Sequence, residues 1–387
     1  MAFAAALSQH PVPAEAVGEV VGRILDDLGA APDLAVLFVS PSQAGAVDDM
    51  AAAVRATLSP ATLLGAAAST VIGGGREVDE GPAVALWAGR IGPVLPVRLR
   101  VEPAEGGMQV AGVPGAAGAG ARTLLLLADP FSLPLDGLLA GLADTLPDLT
   151  VVGGLASAAR GPGGNRLVLD GEVHRDGAVG VLLPEGSTAR PLVSQGCRPV
   201  GEPMTVTAVD GPMLLALAGR PALDRLLEVA RGLGPDERAV FERGPQVGVV
   251  VDEQQESFGT GDFLIRNVMG ADSARRGVAV GSQVEVGTTV QFHVRDADSA
   301  DEELRRLLAD VEVDGAAGDQ QGALLFTCNG RGSAFFGTPH HDAELVADRV
   351  GPAVAGMACA GEIGPIGARS HLHGYTASVL LLRAPEI

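Results

Sequence analysis

The side chains able to do chemistry gather near the C-terminus of this chain. Between Gly322 and Leu382 stand two of the three cysteines, Cys328 and Cys359, and four of the seven histidines, His340, His341, His371 and His373. Each lies beside a glycine-rich turn or the end of an apolar run. Binding of a small zwitterion is the first chemistry they could serve. An amino acid needs a forked cation for its carboxylate and an acceptor for its ammonium, and arginine supplies the fork better than any other side chain. The candidate set centres on Glu362, Arg331, Asp262 and Arg266. Glycine turns at Asn329 to Gly332 and Gly361 to Gly367 could add backbone N–H donors. Asn267, Cys328, Asn329, Cys359 and His373 complete it. A plainer reading stands beside this one: Glu362 and Arg331 form a structural ion pair near strand ends, and Asp262 to Asn267 stabilise a hairpin.

Two further chemistries compete. His371 and His373, two residues apart, would face one side of a strand, a usable metal-ligand spacing. Cys328, Cys359, His340 and His341 could complete a set, and for haem the axial candidates are His341 and His373. No CxxC, HExxH or CxxCH motif is present. Cys328 or Cys359 with His373 and Glu362 could also supply a nucleophile, a base and an orienting acid. Small cysteines beside alanine and glycine, Cys197 included, read more simply as packing residues. The expectation is therefore a binding protein rather than an enzyme, with no catalytic residue assigned and the cofactor left open between none and haem.

Positioning these groups requires a scaffold, and its plan occurs three times. Strand, helix, strand, glycine turn and returning strand run from Leu34 to Gly89, from Arg122 to Leu183 and again from Gly322 to Leu382. The opening strands are Ala35 to Ser40, Thr123 to Ala128 and Ala323 to Cys328, short apolar runs of a length that suits buried strands. The second strands begin LLG at Leu63, VVG at Val151 and VAG at Val354. A second glycine follows at a fixed spacing, pairing Gly65 with Gly73, Gly153 with Gly161 and Gly356 with Gly364. Where the third copy has Cys359 and Glu362, the first has Ala68 and Val71 and the second Ala156 and Ala159. An acid and a thiol have been gained there.

The fold class that follows is α/β, with mixed sheets built from repeated βαβ-like units flanked by helices and an antiparallel insertion in the C-terminal half. Helices are expected at Ala14 to Leu28 and Ala46 to Leu58, whose apolar residues form single stripes. Each strand–helix–strand unit should be parallel with a right-handed crossover. The chemistry of the chain changes after Val193, giving an expected division into 1–192 and 193–387. Helical segments are expected at Pro212 to Leu217, Pro221 to Leu233 and Asp236 to Glu242. Antiparallel strands should follow at Val247 to Val251, Phe263 to Val268 and Val284 to Val294. A helix containing Leu304 and Leu308 should be capped by Asp298 or by a Ser299–Glu302 capping box. Residues Pro103 to Gly120 read as a loop between copies.

Composition limits the partners. With 47% apolar and 19% charged residues in 387, the chain is that of a globular protein with room for two or three cores. Its formal charge of −20 argues against nucleic acid or an anionic membrane as partner. All 27 basic residues are arginine, which removes Schiff-base chemistry and a P-loop lysine. No apolar run approaches the roughly 20 residues that cross a bilayer, and Met1 to Leu7 lacks the basic start of a signal peptide. Three dispersed cysteines fit reduced thiols in a cytoplasm.

Several ordered segments together resemble the FIST family of sensory domains: GGGREVDEGPAVALW, ADPF, VVGGLAS, SQGCRPVG, GDFLIRNVMGAD, VQFHVRDA, LFTCNGRG, CAGEIGPIG and HGYTAS. The resemblance covers roughly Leu34 to Leu382 and implies an N-terminal and a C-terminal FIST part. It further implies binding of a small ligand such as an amino acid, or, as in some members, haem-dependent sensing of nitric oxide. Many members are fused to a kinase, cyclase or F-box. Here almost every residue falls within the resemblance, so a signal is expected to leave through a separate partner. Many relatives carry a cysteine where this chain has Ala66.

Overall fold

The computed structural model describes every residue except 105–106, 114, 116–121, 184–187, 256, 260, 312–320 and 385–387. It is mixed α/β, with 25% helix and 42% strand. The described chain forms two compact units, one of Met1–Val193 with Arg305–Ile387 and one of Ser194–Leu304. The expected C-terminal part is thus divided in space. Its third repeat folds with the first two, because that is where its strands find partners.

Each repeat contributes the same three strands. The opening strands Leu34–Val39, Thr123–Ala128 and Gln321–Cys328 lie parallel to the second strands Thr62–Ala67, Thr150–Leu155 and Val354–Cys359. On their other side run the returning strands Val84–Gly89, Ala178–Leu183 and Ala377–Arg383, antiparallel. The runs read as continuously apolar because both faces are buried. In the first repeat Ala35, Leu37 and Val39 lie under the helices Pro13–Asp27 and Val47–Leu58, while Leu34, Val36 and Phe38 face inward. The second repeat does the same under the helix Leu135–Thr145. The inward faces of all three repeats share one core, in which Trp87 donates from Nε1 to the Ala353 carbonyl at 3.1 Å.

What binds the repeats together is an exchange of hairpins. After its second strand, the first repeat sends Val71–Gly73 onto Val354–Cys359 of the third. The third sends Glu362–Ile366 onto Thr150–Leu155 of the second. The second sends Leu167–Leu169 onto Thr62–Ala67 of the first, closing the cycle. A hairpin with such short arms is not stable alone, and pairing with a neighbour's sheet satisfies both its hydrogen bonds and its apolar faces. The recurrent glycine has its reason here. A Cβ on Gly65, Gly153 or Gly356 would stand 2.5, 1.9 or 1.8 Å from the carbonyl oxygen of Leu37, Leu126 or Leu325 on the adjoining opening strand. The second glycine has a common place only in the first and third repeats. Gly73 and Gly364 lie in exchanged hairpins, whereas Gly161 lies in a loop preceding the hairpin of the second repeat.

In the other unit, strands Cys197–Asp210, Met213–Leu217, Gln246–Val250, Phe263–Asp272, Gly277–Val280 and Thr289–Arg295 pair antiparallel. The long first strand pairs with Thr289–Arg295 through its first half and with Met213–Leu217 through its second, so the pairings run round in a ring. The segment expected as a helix at Pro212 to Leu217 is therefore a strand. Gly211, at φ 56°, turns the chain back, and a five-residue apolar run carries no period that distinguishes the two states. The helices Ala222–Gly232 and Pro235–Arg243 do form. The helix Ala297–Ala309 is capped by neither Asp298 nor Ser299: Asp296 accepts from the Ser299 N–H at 2.8 Å. Part of the expected loop Pro103 to Gly120 is a hairpin of Leu95–Ala104 with Gly107–Ala111. Residues 105–106, 114 and 116–120 of it lie outside the described chain.

Candidate functional site

In open parallel sheets the space beyond the carboxyl ends of the strands is where ligands find exposed backbone groups and loops. Here the carboxyl ends of all three repeats meet around a cleft of about 640 Å³. Thr327 and Cys328 end the opening strand of the third repeat, followed by the turn Asn329–Gly332. Ala358 comes from its second strand, and Ala360 directly follows that strand. Ser69 and Thr70 follow the second strand of the first repeat, and Glu77 and Asp79 come from its hairpin. Pro130, Phe131, Ser157, Ala159 and Arg160 belong to the second repeat.

A polar network ties the three ends together. Ser69 N–H donates to Ser157 Oγ at 2.9 Å, the two hydroxyls are 3.2 Å apart, and Ser69 Oγ donates to Asn329 Oδ1 at 2.6 Å. Ser157 Oγ donates to the Ala358 carbonyl at 2.5 Å. Asp79 accepts from Thr70 Oγ1 at 3.0 Å and from Ser333 Oγ at 3.3 Å, which fixes its carboxylate at the wall. Arg160 is exposed at the rim and makes no hydrogen bond or ion pair with the described residues. Two aromatic side chains, Phe131 and Tyr375, are more than a third exposed, and Tyr375 lies against Gly330 in a left-handed backbone conformation at φ 63°.

Beneath Cys328 the acid gained by the third repeat is fully buried. Glu362 Oε2 accepts from the Thr376 N–H at 3.0 Å and from its hydroxyl at 2.7 Å. Burial pushes the carboxyl up to about 7, against the pull of hydrogen bonds from Thr376, the Arg331 charge and the Cys328 thiol. Cys359 is fully buried beside it. Burial, then the neighbouring Glu362 and Cys328, raise its thiol well above the ordinary value.

A second buried group braces the cleft. Arg331 donates to both oxygens of Asp342, at 2.8 and 2.9 Å, and stacks 5.2 Å from the centre of Phe336. Burial works to raise Asp342, but the Arg331 charge and the hydrogen bonds from His341 and Arg331 hold it below the usual range. Glu77 accepts from Ala343 N–H at 3.0 Å, so the hairpin of the first repeat caps the helix His341–Val350 of the third. Burial and the nearby Asp342 charge push Glu77 up to about 7.

Residues 33–220 match the FIST N domain and residues 222–365 the FIST C domain. The chain belongs to the FIST family. The chain is also 42% identical over 384 residues to "Uncharacterized protein Rv0628c" of Mycobacterium tuberculosis, covering 98% of this chain and 99% of that one. It is 41% identical over 374 residues to "Uncharacterized protein Mb0898c" of Mycobacterium bovis, covering 96% of each. FIST domains are sensory domains of signal transduction. Between the two FIST segments the match changes over at 220–222, inside the unit Ser194–Leu304.

Of the residues expected at the site, this FIST protein brings Cys328, Asn329 and Arg331 to the cleft wall. Glu362 and Cys359 lie behind Cys328, and the Arg331 guanidinium is engaged by Asp342. His373 is buried, with Nε2 2.9 Å from the Gly364 carbonyl, and His371 is its neighbour on the same strand, ring centres 6.2 Å apart. His341 stacks on Phe336 at 3.6 Å with its Nδ1 3.1 Å from Asp342. Among the described residues no group of three or more His, Cys, Asp or Glu side chains is placed to hold a metal ion. Asp262, Arg266 and Asn267 belong to the other unit. There Asp262 accepts from Gly259 N–H at 2.7 Å and Arg266 Nε donates to Ser282 Oγ at 3.2 Å. Ser69, Ser157, Asp79 and Arg160 were missed. The signal for the serines was present: Ser69, Ser157 and Ala360 occupy one position of the repeat, and two polar residues of three at the carboxyl ends of buried strands mark a shared surface.

No helix among the described residues is long and apolar enough to cross a membrane.

Proposed function

We propose that the cleft is the ligand site of a sensory module, and that it takes a small polar molecule of the amino-acid type and signals through a separate partner. The observation that supports this reading most is the convergence of three unlike strand ends on one cleft whose wall carries both signs of charge. Its volume is that of a small-molecule pocket. Arg160, exposed at the cleft, supplies the forked cation that a carboxylate needs. Asp79, flanked by the Thr70 and Ser333 hydroxyls, supplies an acceptor for an ammonium. Glu362 acts from behind the wall by setting the polarity at Cys328.

The test is direct. The mass of the purified protein under native conditions is compared with its mass after denaturation, and the emptied protein is then screened against the proteinogenic amino acids by thermal shift. A bound or stabilising amino acid whose affinity falls tenfold or more in Arg160→Ala supports the reading. Equal masses with no stabilising amino acid, or an affinity indifferent to both Arg160→Ala and Asp79→Asn, overturns it.

A further inference from the structure

Two sulfur atoms of the third repeat stand side by side. Cys328 and Cys359 are register partners on adjacent parallel strands. Alternation along the strands puts both on the inward face: Leu324, Phe326 and Cys328 on one, Ala355, Met357 and Cys359 on the other. Neighbouring strands lie about 4.8 Å apart, within the roughly 4.4–6.8 Å between Cα atoms that a disulfide bridges.

Their surroundings differ in a way that divides two roles. Cys328 is partly exposed and lines the cleft, where a small solute reaches it. Cys359 is sealed in the core, its sulfur filling the space left by Gly154, where a Cβ would come within 2.3 Å of it. Gly154 is in turn the register partner of Glu362. The exchanged hairpin therefore delivers a carboxyl to the two thiols, with no histidine or lysine needed.

We propose that Cys328 is an oxidation site for small hydroperoxides entering the cleft, and that Cys359 is its resolving thiol. In the first step the Cys328 sulfur attacks the terminal peroxide oxygen. The O–O bond breaks, and the alcohol or water that leaves carries away the thiol proton, giving a sulfenic acid. In the second, Cys359 passes its proton to the Glu362 carboxylate and attacks the Cys328 sulfur. The S–S bond forms, the S–O bond breaks, and the departing hydroxide recovers the proton from Glu362 as water. Two electrons pass from the thiol pair to the peroxide. A carboxyl that titrates near neutrality is suited to taking and returning that proton.

The experiment exposes the full-length protein to hydrogen peroxide, cleaves it after arginine and maps the products by mass spectrometry. The expected product is a reductant-sensitive link between the peptides 307–331 and 350–369, with Cys197, buried in the other unit, unmodified. In Cys359→Ser the link disappears and dimedone traps the sulfenic acid on Cys328. In Glu362→Gln dimedone still finds Cys328, while link formation slows about tenfold or more. A wild-type protein in which Cys328 is oxidised no faster than Cys197, or in which no link between the two peptides forms, overturns the proposal without need of any variant. Link formation at an unchanged rate in Glu362→Gln removes the carboxyl from the second step.

Discussion

The first and third repeats share a backbone plan and differ in what they place at its carboxyl end. In the first, the opening strand runs into Ser40, whose hydroxyl accepts from the Ala83 N–H at 2.9 Å and ties the strand end to the start of the returning strand. At the same place the third has Cys328, on the cleft. Opposite these stand Ala68 and Cys359. The exchanged hairpins begin with Val71 and Glu362, both buried, one inert and one ionisable. The second residue of the repeat's helix is Asp48, exposed, in the first and Asp342, buried against Arg331, in the third. One scaffold thus carries a first repeat with packing residues at these positions and a third repeat with sulfur and an ionisable acid at the same positions. The threefold arrangement supplies the space, and departures from it supply the chemistry.

The comparison is broken most severely at the helix starts. Asp342→Asn leaves the buried Arg331 without its bidentate acceptor and should cost about 3–5 kcal/mol. Asp48→Asn removes only an exposed charge near a helix N-terminus, and should cost about 0.3–1 kcal/mol. Urea unfolding midpoints of the two variants measure the difference, and equal midpoints would show that the buried pair is not what distinguishes the repeats.

The hairpins are separated by pH. Glu362 and Glu77 titrate near 7 in the folded protein and near 4.5 when exposed. A folded value above the unfolded one means that the folded state binds the proton more tightly. The stabilisation tied to these protons is complete below about pH 4.5 and is lost as pH rises through about 7. Each group accounts for up to about 3 kcal/mol over that window. Glu362→Gln should therefore flatten roughly half of the decline between pH 5 and 8, leaving the part due to Glu77 of the first repeat. A decline unchanged by Glu362→Gln would place the pH dependence elsewhere.

The smallest effects belong to the shared serine position. Ser157→Ala removes an acceptor for Ser69 N–H and a donor to Ala358, and should cost about 1–3 kcal/mol. Ala360→Ser, which restores a hydroxyl to the third repeat at an exposed site, should change stability by less than about 0.5 kcal/mol. Its value lies in the cleft: an altered ligand affinity with unaltered stability would identify Ala360 as a departure selected for the ligand rather than for packing.

Much of this scaffold was legible in advance. Opening strands are legible where Ala35, Thr123 and Ala323 begin apolar runs, because a strand buried on both faces has no need of polar alternation. The helices expected at Ala14 to Leu28 and Ala46 to Leu58 follow from their single apolar stripes. The helix expected at Pro212 to Leu217 is a strand because a short apolar run has no period of its own, and its state is decided by the strand Cys197–Asp210 pairing with it. At the cleft, Cys328, Asn329 and Arg331 stand out in the sequence by type and glycine context. Ser69, Ser157 and Arg160 do not, since each is an ordinary polar residue until the strand ends converge.

The sequence by itself determined the three repeats, their parallel cores and the glycines that let carbonyl oxygens approach, because these depend on local period and on the absence of a Cβ. Only the tertiary structure decided which repeat lends its hairpin to which. That exchange joins Glu362 to Gly154, Glu77 to Ala343 and Ile72 to Gly356, pairings between residues 208, 266 and 284 positions apart. No local signal encodes such a choice. It is fixed by burying three apolar inner faces against one another at once, and the cleft is the opening left where their carboxyl ends meet.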